Sequence, residues 1–161
     1  MALYDDIRNL QHDCFYSETT WGNKFKSPVS KDEWISALKI STSWHCSSVR
    51  NIAIDKLERP FAFVFPSSSH LEPMEKIVLG RKYYISGWVQ AGYTELVKHG
   101  DLTEVEMEEL GTVASSKLLK IMLDNTKKRL ESSALDNRVT TAFQEELQSI
   151  ALIEKMYSSE L

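Results

Sequence analysis

From Ser30 onward the apolar residues recur three and four positions apart, the spacing of helices that bury one face. Ser30-Lys31-Asp32-Glu33 opens the series with a helix-start signal. The Ser30 side chain is placed to accept the N–H three residues on, and Glu33 to reach back to the N–H of Ser30. Trp34, Ala37, Leu38 and Ser41 then share a face, with Trp44 near the same stripe, and Lys31, Ser36, Lys39 and Ser43 fall on the wetter side. This predicts a helix over 31–44, a turn at His45-Cys46-Ser47 and a second helix over 48–58. In the second helix Val49, Ile52, Ala53 and Leu57 form the buried stripe, and Arg50, Asn51, Asp55 and Lys56 face water. Two short helices joined so tightly are expected to pack as an antiparallel hairpin.

The pattern continues with interruptions. Ahead of Ser30, Ile7, Leu10 and Cys14 have helical spacing, and residues 18–29, with Gly22, Asn23 and Pro28, read as a connection. Pro60 and Pro66 bracket the run Phe61–Phe65, which is expected to be a loop laid on the helices, since no partner strand is visible elsewhere. Pro73 suits a first helical turn, Met74, Ile77, Val78 and Arg81 follow at helical spacing, and a stop is expected near Tyr83-Tyr84. Ser86 is placed to cap a helix carrying Trp88, Val89, Tyr93, Leu96 and Val97, which Gly100 closes. Thr103 and Glu106 form a second capping box ahead of the stripe Leu110, Ala114, Leu118, Ile121 and Met122. After Asn125 the chain turns polar, and from about 138 a last helix carries Val139, Phe143, Leu147, Ile150, Ile153 and Tyr157.

The composition, 42% hydrophobic and 26% charged over 161 residues, is that of a soluble domain, and a formal charge of −4 argues against a general nucleic-acid binder. No apolar run approaches the ~20 residues that span a bilayer, and the acids in Met1–Asp6 do not suit a signal peptide. A cytoplasmic or nuclear protein with reduced Cys14 and Cys46 is expected.

Candidate chemistry is sparse. His12-x-Cys14, His45-Cys46, His70 and His99 lack the paired spacing of a structural metal site. Nucleophile elbows, phosphate loops and dinucleotide fingerprints are all missing from the sequence. Asp101, Glu104, Glu106, Glu108 and Glu109 read as a wet helix start, because negative charge there complements the helix dipole. Of the aromatics, Trp34, Trp44, Trp88, Tyr83, Tyr84 and Tyr93 are expected mainly in the core, with any exposed remainder marking a protein-binding surface. No catalytic, cofactor-binding or metal-ligating residue is assigned.

The order of these motifs resembles the helical region that follows the BTB/POZ core in fungal BTB domain proteins. The resemblance rests on the run Ser30–Trp44, on Val49–Leu57, on Pro73–Tyr83, on Trp88-x-x-x-Gly92-Tyr93-x-x-Leu96 and on Leu102-Thr103-x-x-Glu106 with Leu110-Gly111, and it spans roughly residues 14–124. It implies a helical extension supporting a protein–protein interaction domain, with dimerisation and cullin-type ubiquitin ligases or transcriptional partners among the family's associations. Cys14-Phe15-Tyr16 corresponds to the closing end of the BTB core, which is otherwise expected to be absent. The Phe61–Phe65 insertion and the chain beyond about 126 depart from the pattern.

The expected fold class is therefore all-α, with short helices packed as successive hairpins and a longer C-terminal helix. Three parts are expected: an N-terminal segment 1–29, a helical domain 30–125 and a helical extension 126–161. The expected function is a non-enzymatic interaction module, an adaptor or scaffold for other proteins without nucleic acid, membrane or cofactor. Exposed apolar patches are expected at Ile7, Leu10, Phe15 and Phe61–Phe65. The rivals are a small all-α enzyme or ligand-binding protein, with His45 near acidic groups, and a self-associating protein driven by 138–157. In that last case truncation at about 130 is expected to leave the core folded.

Overall fold

A computed structural model describes residues 30–58, 71–128 and 131–158. Every regular element among them is an α-helix, so the fold is all-α as the spacing predicts. In chain order these are α1 Lys31–Ser43, α2 Ser47–Glu58, α3 Pro73–Tyr83, α4 Ser86–His99, α5 Glu104–Leu110, α6 Thr112–Lys128, α7 Ser132–Ala142 and α8 Gln144–Ser158. The amphipathic helix that the spacing of Ile7, Leu10 and Cys14 predicts within residues 1–17, the patches at Ile7, Leu10 and Phe15, and the Phe61–Phe65 segment lie outside the described residues. The chain divides into two units, one reaching to Leu71 and including Tyr157 onward, the other Glu72–Met156.

In the first unit α1 packs on α2. The start signal forms in full: the Ser30 N–H donates to Glu33 Oε2 at 2.6 Å and the Glu33 N–H to Ser30 Oγ at 3.3 Å. Those bonds, the backbone one first, hold the Glu33 carboxyl below its ordinary range. Leu38 and Ser41 are buried as expected, but Trp44 is 72% exposed. The helix ends one residue earlier than predicted, and Trp44 becomes its C-cap with φ −101° and ψ 5°, which swings the indole off the stripe. His45 follows at φ 53°, the left-handed turn into α2.

The stripe of α2 is also rotated from the expected one. Arg50, Ala53 and Leu57 are buried, whereas Ile52 is exposed. Arg50 is accommodated because its guanidinium lies 5.2 Å over the Tyr157 ring, which also stacks on His45 at 4.9 Å. Hydrophobic spacing alone ranks Ile above Arg; an aromatic face from far along the chain reverses the order.

The second unit is built on the pair α3 and α4. Pro73 takes the first turn of α3, and Tyr84 ends it in the left-handed region, φ 55°. Ser86 does not cap α4: Ile85 holds that position, and the Ser86 hydroxyl and N–H both donate to Glu154 of α8, at 2.6 and 3.1 Å. Trp88, Val89, Tyr93, Leu96 and Val97 are all buried. A Cβ on Gly92 would lie 2.6 Å from the Pro73 carbonyl oxygen and from Ile77 Cγ1, so the two backbones approach closely there. Lys76 ties the same two helices through Glu95 at 2.6 Å.

Thr103 and Glu106 form their capping box, and Gly111, at φ 83°, separates α5 from α6. Leu110, Ala114, Leu118, Ile121 and Met122 then join Ile77, Val89, Tyr93, Leu96 and Val97 in one core, with Leu135, Val139, Phe143, Leu147 and Ile150. The single C-terminal helix expected from 138 is two helices: α7 begins at Ser132, and Phe143 is its C-cap with φ −109° and ψ 16°. Because five core residues follow position 130, truncation there removes core, contrary to the expectation that the core would stay folded.

The tight approach at Gly92 gives a direct expectation. Gly92→Ala should lower unfolding stability by roughly 1–3 kcal/mol through overpacking against backbone. Gly87→Ala, in the same helix but with nothing within 4 Å of the new methyl, should be neutral or slightly stabilising. Urea unfolding of the two variants checks this, and equal effects would contradict the account.

Candidate functional site

The second unit holds a shallow cleft of about 260 Å³ between the α5–α6 corner and the start of α8, lined by Arg81, Leu110, Gly111, Lys117, Phe143 and Glu146 among others. Three helices supply its polar groups. Arg81 leaves the last turn of α3, Lys117 the second turn of α6 and Glu146 the first turn of α8, while Phe143 at the α7–α8 corner forms the apolar part. The volume lies just under the roughly 300–1,000 Å³ of small-molecule pockets.

Behind the cleft the polar groups satisfy one another. Arg81 Nε donates to Glu146 Oε1 at 2.7 Å, Arg81 Nη2 donates to the Tyr93 hydroxyl at 2.7 Å, and that hydroxyl donates to Glu146 Oε2 at 3.0 Å. Both carboxylate oxygens, the phenol and two guanidinium nitrogens are thus committed to one ring. Lys117 Nζ is committed as well, donating to the Ala142 carbonyl at 2.9 Å and lying 5.4 Å over the Phe143 ring.

The electrostatics agree with a structural cluster. Burial pushes the Tyr93 hydroxyl far above its ordinary value, Glu146 adds to the rise, and Arg81 opposes it. A phenol held this firmly protonated is poorly suited to serve as a base or nucleophile at neutral pH. For Arg81 burial alone would lower the pKa; the bond and charge of Glu146, with Tyr93, outweigh it, and the net direction is upward. Arg81 therefore stays a fixed cation.

The residues singled out from the sequence are not gathered here. Asp101, Glu104, Glu108 and Glu109 are exposed, and Glu106 serves the capping box. His99 sits exposed at the end of α4, and His45 stacks on Tyr157 in the first unit. Among the described residues no three His, Cys, Asp or Glu side chains come together as a metal site. His12, Cys14 and His70 lie outside the described residues. Of the aromatics, Trp88, Tyr83 and Tyr93 are buried, Trp34 and Tyr84 are half-buried, and Trp44 is exposed. Sequence reasoning did not single out Arg81, Lys117 and Glu146 as a group, because 65 residues separate Arg81 from Glu146 and no local spacing signals the pairing.

Outward-facing apolar side chains are further candidates in each unit taken by itself. Ile40 is 53% exposed, one turn from Trp44; Leu119 and Leu123 of α6 are one turn apart, and so are Leu152 and Met156 of α8. No helix among the described residues is long and apolar enough to cross a membrane. No family model, curated protein or solved structure matches the chain.

Tyr93 gives the measurable consequence. Its folded pKa is raised, so folding keeps it protonated and the associated stability is present below the unfolded tyrosine value of about 10 and lost as pH rises past it. Spectrophotometric titration of the folded protein should show no ionisation of Tyr93 near the ordinary tyrosine value of about 10. In Tyr93→Phe the folded protein should lose no ionisation step in that range and should be less stable by about 1–2 kcal/mol. Loss of a step near the ordinary value would contradict the buried assignment.

Proposed function

We propose that this chain is a non-enzymatic protein–protein interaction module, an adaptor or scaffold whose helices resemble the post-BTB region of fungal BTB/POZ proteins. The observation that carries this reading is the pair Ile40 and Trp44. A tryptophan 72% exposed, with an isoleucine one helical turn behind it, is the kind of anchor that protein interfaces bury at their centre. The polar cluster of the second unit supports the same reading from the other side, since its carboxylate and phenol are used up in mutual hydrogen bonds. The module works in the cytoplasm or nucleus, and its partners are other proteins, with cullin-type ligases or transcriptional regulators the classes that the resemblance favours.

The test is quantitative affinity capture from the native cell with the full chain, beside an Ile40→Ser/Trp44→Ser double variant. Both substitutions are at exposed positions, so unchanged thermal unfolding serves as the folding control. The reading expects a recurrent cullin, chromatin protein or BTB partner with the wild type, depleted several-fold with the variant. A wild-type profile no different from background, or one unmoved by the substitutions, overturns it.

A further inference from the structure

We propose that the outer face of α6 is a docking strip for an acidic amphipathic helix of a partner protein. This inference rests on the reading of the chain as an interaction module and names the chemistry of one partner. Between Val113 and Lys127 the exposed side chains of α6 include Val113, Leu119 and Leu123 at 72%, 46% and 56% exposure, interleaved with Lys120 and Lys127. Fourteen helical rises from Val113 to Lys127 make this strip about 21 Å long, enough for four turns of a helix laid beside it. The helix exposes no unpaired acid there: Asp124, its one carboxylate, is ion-paired with Arg138 of α7 at 3.0 Å. In a chain whose formal charge is −4, this surface carries two cations and three apolar side chains, while Lys117 of the same helix is held at the Ala142 carbonyl.

Charge selects the occupant. A second copy pairing α6 with α6 would set Lys120 and Lys127 against like charges, which opposes association. A second copy presenting α5 offers Glu104, Glu108 and Glu109, but that helix has seven residues and one strongly exposed apolar side chain, Val105. Such a head-to-tail contact would also leave each chain with an open end. A partner helix with leucines on one face and glutamates or aspartates beside them meets both halves of the strip: apolar contact with Leu119 and Leu123, and charge complementarity with the lysines that steers its approach.

The experiment uses the full chain, isotope-labelled, titrated with a synthetic capped peptide of about 18 residues, five helical turns, carrying leucine on one face and glutamate on its flanks. Amide shifts should concentrate in residues 112–127, and affinity should fall with ionic strength. Leu119→Ser/Leu123→Ser and Lys120→Glu/Lys127→Glu should each weaken binding about tenfold or more while leaving thermal unfolding unchanged, as befits exposed positions. Three results would overturn the inference: no shifts on α6, equal binding of the lysine-for-glutamate peptide, or a concentration-dependent dimer of the protein alone that the leucine substitutions abolish. Partner capture that depends on Ile40 and Trp44, together with peptide failure at α6, would remove this inference and leave the interaction-module reading standing.

Discussion

The Tyr93 phenol is the joint on which the second unit depends. Its ring, fully buried in α4, stacks on Phe143 at 3.9 Å, and its hydroxyl lies between Arg81 of α3 and Glu146 of α8. One side chain therefore links α3, α4, the α7–α8 corner and α8. An aromatic ring contributes large apolar burial, and its hydroxyl must find partners once buried. Arg81 and Glu146 meet that demand and each other's charge at once. The same arrangement leaves both carboxylate oxygens and the phenol proton engaged in hydrogen bonds.

The close approach of α3 and α4 belongs to this logic. Gly92 immediately precedes Tyr93, and its bare backbone lets the Pro73 end of α3 come near. Gly80 does the same at the other end, where a Cβ would lie 2.7 Å from Val89 Cγ2. Small residues set the helix spacing, and the bulky Tyr93 and Ile77 then fill the interior.

Much of this fold could be read from residue spacing. Both serine- and threonine-led capping boxes, the Pro73 start, the Gly100 stop and the α4 stripe depend on contacts within a few residues, and these the chain displays openly. The misreadings arise where distant residues intervene. Arg50 is buried because Tyr157 lies over it, and Ser86 turns from cap to donor because Glu154 accepts from it. The corner at Phe143 escaped for a related reason: the apolar period runs through it without a break, and no Gly or Pro marks the change of direction. The polar cluster was illegible as a site since Arg81, Tyr93 and Glu146 each look like an ordinary helix residue until the fold brings them together.

Through the Tyr93 joint the second unit holds together as one cooperative body. Native-state hydrogen exchange of the full chain tests this most directly. The amides of α4 from Val89 to Val97 and those of Leu147 and Ile150 in α8 should exchange with a common free energy equal to that of unfolding the unit. Exchange of the α8 amides through a local opening well below that value, with α4 still protected, would contradict it.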